Sequence, residues 1–160
     1  MSIDQRELRD ALGQYATGVT VVTTLTGDGP LGITANSFAS VSLDPPLVLW
    51  APARRSQRFP AFQKASHFAI HVLTEGQRWL ADRFARTGGD FEGIDTVAGL
   101  GDSPLINGCA ARLECAHAAQ YEGGDHLIMV GEVLRLEQGG GAPLVFHCGS
   151  YRGLGGPLQR

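Results

Sequence analysis

The run VTVVTT at positions 19–24 narrows the choice of fold more than any other feature of the chain. All six residues are β-branched, stiff at χ1 and well suited to a pleated surface, so the run predicts a strand. GDGP (27–30) then supplies turn chemistry, and LGITA (31–35) returns, so 19–35 reads as a hairpin. The same punctuation recurs downstream. SFASVSL (37–43) ends at a DPP turn, and LVLWA (47–51) is apolar throughout, as expected of a strand covered on both faces. HFAIHVL (67–73) follows. CAARLECAHAAQY (109–121) and HLIMVGEVLRLE (126–137) flank EGGD as the long arms of another hairpin, and LVFHCGSY (144–151) makes a last short strand. About seven strands linked by hairpin-like turns or a single helix favour an antiparallel barrel or sandwich with peripheral helices. A doubly wound parallel sheet needs regular strand–helix alternation, which this chain lacks.

Two helices are expected. Asp4 and Glu7 stand at capping-box spacing, Leu8, Leu12 and Tyr15 follow at helical intervals, and the helix should end near Gly18. Thr74 with Gln77 repeats the box, and Trp79, Leu80 and Phe84 give TEGQRWLADRFAR (74–86) an apolar face. The stretch from Thr87 to Gly108 is glycine-rich and reads as irregular, long enough to suggest function or partner contact. GGGAP (139–143) reads as a mobile loop, and the tail after Gly153 has no periodicity.

A chain of 160 residues without a composition break predicts one domain over 1–160. A net charge of −3 gives no electrostatic footprint for nucleic acid or an anionic membrane. The longest apolar runs are too short to span a bilayer, and MSIDQRELRD has no secretory pattern. Three widely spaced cysteines, Cys109, Cys115 and Cys148, fit a reducing cytoplasm better than a disulfide scaffold. A glycine-rich dinucleotide fingerprint, a phosphate loop and a nucleophile elbow are all absent. Cys115 and His117 share a strand face, but no paired cluster at metal-ligand spacing accompanies them, so no metal is expected.

Three features carry chemistry. The first is GITANSFASVSLDPP (32–46), in which small hydroxyl and amide side chains interleave with apolar ones and no charge appears before Asp44. Such a segment suits the uncharged wall of a planar polar heterocycle or polyol; equally, its side chains can bond their own backbone. The second is the compact set Arg54, Arg55, Ser56 and Arg58, suited to phosphate oxygens or to water, with Arg83 and Arg86 on the second helix able to add to it. The third is Gly124-Asp125-His126 at a hairpin tip. There the histidine can donate a hydrogen bond, stack or move a proton, while a turn in which Asp bonds its own backbone explains Gly-Asp as well.

In order, these segments resemble the flavin reductase family, small FMN-binding proteins that are often the reductase component of two-component flavin monooxygenases. The matching pieces span nearly the whole chain: ATGVTVVTT (16–24), GPLGITANSFASVSLDPPLVLW (29–50), ARRSQRFPAF (53–62), FAIHVL (68–73), LADRFAR (80–86), LECAHAAQYEGGDHLIMVGEV (113–133) and PLVFHCGSYRGL (143–154). The TANSFxSVSLxPPL and GDHxIxxGEV blocks are the most specific.

The resemblance implies a mainly β fold, an antiparallel Greek-key split β-barrel with peripheral helices, usually a homodimer with flavin near the subunit interface. It implies FMN or FAD as flavin, NADH or NADPH as hydride donor, and a separate monooxygenase as partner. By position, Thr34, Ala35, Asn36, Ser37, Phe38, Ser40 and Val41 would form the wall facing the isoalloxazine and ribityl chain, with Phe38, Val41 and Leu43 anchoring it to the core. Arg55, Ser56 and Arg58 would hold phosphate, bordered by Phe84 and Arg86. His126 would stand beside the nicotinamide and flavin rings as the catalytic residue, and Tyr151 near the ring system. Relatives are richer in Ser/Thr where this chain has ARRSQRF, which leaves open which arginine meets phosphate. A flavoprotein that retains its flavin and reduces another acceptor, and a non-catalytic flavin-binding barrel, are the competing readings.

Overall fold

The computed structural model describes residues 3–156. Helix α1 (Gln5–Gly13) and the short strand β1 (Thr17–Gly18) are followed by β2 (Thr20–Thr26), β3 (Gly29–Ala35), β4 (Ala39–Leu43) and β5 (Pro46–Trp50). Next come helix α2 (Phe59–Lys64), β6 (His67–Val72), helix α3 (Arg78–Arg86), β7 (Thr96–Ala98) and β8 (Pro104–Ile106). The long strands β9 (Ala111–Gly123) and β10 (His126–Gln138) precede β11 (Val145–His147) and β12 (Ser150–Arg152).

The chain is mainly β and its ladders are antiparallel, as the hairpin pattern predicts. Seven strands pair in the order β3-β2-β6-β9-β10-β5-β4. The edge strands β3 and β4 are consecutive in sequence, separated only by Asn36, Ser37 and Phe38. Laid flat, seven strands at about 4.8 Å spacing would hold those edges roughly 29 Å apart. A three-residue link reaches at most about 15 Å between flanking Cα atoms. The sheet therefore curls, bringing the end of β3 and the start of β4 within that reach. Its packing agrees: Val22 near one edge and Trp50 near the other share one buried cluster with Phe62, Phe68, Ile70 and Met129. Gly131, beside a register shift in β10, assists the curvature. A Cβ there would stand 2.6 Å from the Phe68 ring.

A second cluster fills the outer face, where Val21, Leu73, Leu80, Phe84, Ile106 and Leu144 pack under α3 and the β8 segment. β2 is thus covered on both faces. Its threonines are satisfied by carbonyls, Thr23 Oγ1 donating to Pro104 O at 2.5 Å and Thr24 Oγ1 to His67 O at 2.9 Å.

Several local expectations need correction. α1 stops at Gly13, not near Gly18, because the chain is recruited into β1, which pairs with β11. Asp4 caps it as expected, its Oδ1 accepting from the Arg6 and Glu7 N–H groups. The capping box at Thr74–Gln77 is present, but it starts a 3-10 turn before α3. Trp79 is not on the buried face; it lies 46% exposed beneath the Arg83 guanidinium. Residues 87–108 are not wholly irregular, since β7 and β8 form a hairpin tied to the main sheet through Thr23 and His71. The last strand is a hairpin, β11–β12, turning at Cys148 and Gly149, both at positive φ. Among the described residues no helix is long and apolar enough to cross a membrane; the end of the aperiodic tail, 157–160, lies outside them.

His71 locks the outer layer. Its Nδ1 donates to Val21 O at 2.9 Å, which leaves Nε2 to accept the Ile106 N–H at 3.0 Å, so the ring is held neutral. Burial lowers its pKa from 6.5 to about 4. The unfolded chain therefore binds this proton first as pH falls, and the folded state loses stability between pH 6.5 and 4 at up to about 1.4 kcal/mol per pH unit. Urea unfolding of wild type and a His71→Asn variant checks this. Wild type should lose more stability across that window than the variant, and equal losses would remove His71 as the cause.

Candidate functional site

The link that closes the sheet is the centre of the predicted wall, and its hydroxyls are largely committed. Thr34 Oγ1 donates to Ala81 O of α3 at 2.7 Å, and Thr20 Oγ1 donates to Ala35 O at 2.7 Å. Ser37 Oγ accepts the Ala51 N–H at 2.9 Å and donates back to Ala51 O at 3.3 Å. These groups hold the wall's backbone in place. Phe38 packs on the inner cluster, as expected. Val41 and Leu43 do not anchor the segment: they are 49% and 95% exposed, because β4 is an edge strand with a bulge between Ser40 and Ser42. Ser40 is likewise exposed.

Beside this link a cleft of about 390 Å³ is lined by Val19, Thr34, Ala35, Asn36, Phe146 and Tyr151. The Phe146 and Tyr151 rings meet edge to face at 5.4 Å, and the Arg78 guanidinium lies over Tyr151 at 5.3 Å. Partial burial raises the Tyr151 pKa, with Asp82 adding to the shift and Arg78 opposing it. Asn36 lines the cleft and is exposed, so its amide is the side chain of the link best placed to meet a ligand.

The basic connector resolves into three different arginines. Arg54 pairs with Glu122 and lies 5.4 Å over the Phe59 ring. Arg58 donates to the Phe84 carbonyl, and more loosely to Gly32 O at 3.4 Å and Ala85 O at 3.5 Å. It thereby straps the C-terminal end of α3 to β3, as cations suit a helix C-terminus, and burial lowers its pKa. Ser56 Oγ accepts the Arg58 N–H at 3.2 Å and shapes the same turn. Arg55 is exposed and makes no hydrogen bond or ion pair among the described residues. Arg58 and Arg86 line a separate, larger cleft of about 950 Å³. The Phe84 ring is fully buried against Phe91, and a Cβ on Gly32 would stand 2.6 Å from it. Phe84 thus supports the site from beneath and has no ring surface to offer a ligand.

The connector is stitched to the β9–β10 hairpin tip. Arg54 N–H donates to Asp125 O at 2.9 Å, Leu127 N–H to Pro52 O at 3.1 Å, and Ala53 bridges His126. The tip turns on Gly124, whose φ of +72° glycine adopts without strain. The Asp125 side chain bonds the next residue's ring: His126 Nδ1 lies 2.8 Å from Asp125 Oδ1. That bond, then the histidine's charge when protonated, then a bond to its own backbone N–H and last the charge of Arg55 hold the Asp125 carboxyl below its ordinary value, with desolvation opposing them. Ser37 is bonded to Ala51 and Ala53 bridges His126, so backbone contacts tie together the link, the connector that carries Arg55 and the hairpin tip. The sequence reading missed Phe146, which becomes visible once 144–151 is read as two strands that pair 146 with 151. Cys115 lies in the inner core with its pKa pushed up to about 12 by burial, and His117 Nδ1 faces Ala65 O at 3.3 Å, so the two do not converge.

An uncharged wall, an aromatic cleft and an uncommitted guanidinium are a donor set that fits a flavin nucleotide. Comparison with known proteins points the same way. The flavin reductase like domain matches residues 12–155. The FMN reductase (NADH) SmoA of Agrobacterium fabrum is 53% identical over 148 residues, covering 92% of this chain and 85% of that protein. HsaB, the reductase subunit of a flavin-dependent monooxygenase of Mycobacterium tuberculosis, is 40% identical over 156 residues, covering 95% of this chain and 83% of that one. The chain spans only 48% of another relative, the reductase component of the Acinetobacter baylyi trigonelline monooxygenase, at 46% identity over 91% of this chain. Among solved structures, the Streptomyces globisporus NADH:FAD oxidoreductase SgcE6, in complex with NAD and FAD fragments, superposes with a TM-score of 0.88 at 41% identity, covering 93% of this chain and 92% of that one. With the wall, connector and hairpin tip all inside the matched region, the chain belongs to the flavin reductase like family.

Proposed function

We propose that the protein is an NADH-dependent flavin reductase that supplies reduced flavin to a separate monooxygenase in the cytoplasm, and that its rolled sheet is the family's Greek-key split barrel. The observation that carries this reading is the backbone tie, through Ser37–Ala51 and Ala53–His126, between the neutral link, the connector with the exposed Arg55 and the hairpin tip with the half-exposed His126. The relatives' names supply the rest: one is an FMN reductase using NADH, one an NADH:FAD oxidoreductase, and others are reductase subunits of monooxygenases. They divide between FMN and FAD, so both flavins belong to the proposal.

When bound, a flavin supplies the ring that takes up the hydride, and no protein nucleophile is needed. The chain's own part is binding and orientation. Asn36 offers an uncharged amide, Arg55 a cation for phosphate, and Thr34 and Ser37 keep the wall fixed. Tyr151 and Phe146 provide an apolar face, and His126 directs a ring nitrogen at the reacting groups.

The exposed apolar side of α1 supports a homodimer. Leu8, Leu12 and Tyr15 are 45%, 64% and 79% exposed, α1 buries no residue within the protomer, and Leu134 and Leu136 on β10 are also exposed. Monomers seldom leave such surface uncovered.

NADH oxidation by the purified protein should depend on added FMN or FAD. Activity only with a different acceptor on a retained flavin would favour the tightly bound flavoprotein, and no oxidation under any condition would overturn catalysis. Arg55→Ala should weaken FMN binding far more than riboflavin binding and leave stability within about 0.5 kcal/mol of wild type. Arg58→Ala should destabilise by roughly 1–3 kcal/mol through its lost carbonyl bonds and weaken both ligands together. Equal losses of FMN and riboflavin in Arg55→Ala would remove it from the phosphate site. Light scattering should show a dimer that Leu12→Glu dissociates; a monomeric wild type would overturn the dimer.

A further inference from the structure

We propose that Asp125 is a positioning residue that sets the tautomer and direction of His126. The inference rests on the reductase reading for its effect on turnover, but its geometry stands independently of it. Asp125 Oδ1 lies 2.8 Å from His126 Nδ1, a distance at which a carboxylate can only accept, so the proton of the neutral ring resides on Nδ1. Nε2 is then left bare on the open side of a ring whose side chain is 45% exposed. The same residue fixes the ring's backbone: Asp125 O accepts the Arg54 N–H at 2.9 Å, and Arg54 is itself held by Glu122 and stacked on Phe59. His126 bridges to Ala53 on the same connector. Side-chain and main-chain atoms of Asp125 thus hold both the ring and its backbone against the connector.

The alternative, that Asp125 serves only the turn, predicts a side chain bonded to nearby backbone. Its carboxylate engages the imidazole as well as its own backbone N–H, so the turn is not its only partner. The Asp125 side chain is 94% exposed, so the pair contributes little to folding stability, as expected of a polar pair in water. Once nicotinamide and flavin cover this surface, the local dielectric falls and the same pair orients the ring more firmly. Asp125 should therefore matter to turnover and hardly at all to stability. A neutral His126 with a bare Nε2 accepts a hydrogen bond or a proton there; the opposite tautomer donates one. Asp125 thereby decides which of these two faces the substrates.

Nitrogen-15 NMR of the side chains reads the tautomer directly and needs neither flavin nor turnover. The neutral His126 ring should carry its proton on Nδ1 in wild type and in Asp125→Asn, whose amide oxygen still accepts. It should shift to the Nε2-protonated form in Asp125→Ala. In steady-state assays, Asp125→Ala should lower kcat about tenfold, a fraction of what a general acid or base contributes. The flavin KM should stay within about twofold and the urea midpoint unchanged, with Asp125→Asn recovering much of the loss. In a His126→Ala background the Asp125→Ala change should have no further effect, because residues acting as a unit are non-additive. A tautomer unmoved by Asp125→Ala, or full loss in the His126→Ala background, would overturn the proposal. Absence of NADH oxidation in wild type alongside an Nδ1-protonated ring would overturn the reductase reading and leave the positioning geometry standing.

Discussion

Three residues join the two edges of a seven-stranded sheet, and most of the architecture follows from that short link. The link cannot span a flat sheet, so the sheet curls until the end of β3 and the start of β4 lie within its reach. Rolling creates an enclosed inner layer around Trp50, Phe62 and Phe68, and leaves the outer face for α3. It also makes Asn36-Ser37-Phe38 the seam of the fold. A seam is a place where backbone groups leave the ladder, and here it is where an uncharged wall faces a cleft. The residues that join the two edge strands are also those proposed as the ligand wall, so a change there acts on both.

Charge in this region is assigned with little overlap. Arg54 belongs to Glu122 and Phe59, Arg58 to the carbonyls at the end of α3, and Asp125 to His126. Each pairing fixes the position of an element: the connector against the hairpin tip, the helix against β3, the imidazole against its turn. What remains for a ligand is Arg55 beside the seam, with Arg86 farther along on α3.

Much of this was legible in the sequence. The β-branched run 19–24, the hairpin punctuation and the apolar strand 47–51 led to the right sheet, because local propensity and tertiary burial agree there. The Asp4 cap and the Thr74–Gln77 capping box agree with their local pattern for the same reason, though Glu7 does not complete a box at the first helix. Failures came where a distant partner overrode the local pattern. The first helix is cut short because β11 recruits the residues after it, and β7–β8 order a glycine-rich stretch through Thr23 and His71. At the candidate site, residue type marked out segments but not the direction of each side chain. Thr34, Ser37 and Arg58 turn to protein carbonyls, Phe84 turns inward, and Val41 and Leu43 turn out. None of those directions follows from spacing, since each depends on a residue more than ten positions away or on an edge strand's bulge.

The inward commitment of Thr34 and Ser37 bears on how a ligand departs. A wall whose hydroxyls wait for a ligand strands them when it leaves, at the desolvation cost of each orphaned group. Here the hydroxyls stay paired to Ala81 and Ala51. On the proposed reading, exchange of oxidised for reduced flavin at such a wall would involve little rearrangement of these groups. A carrier that must surrender its cargo to a second enzyme is better served by this surface than by one that grips.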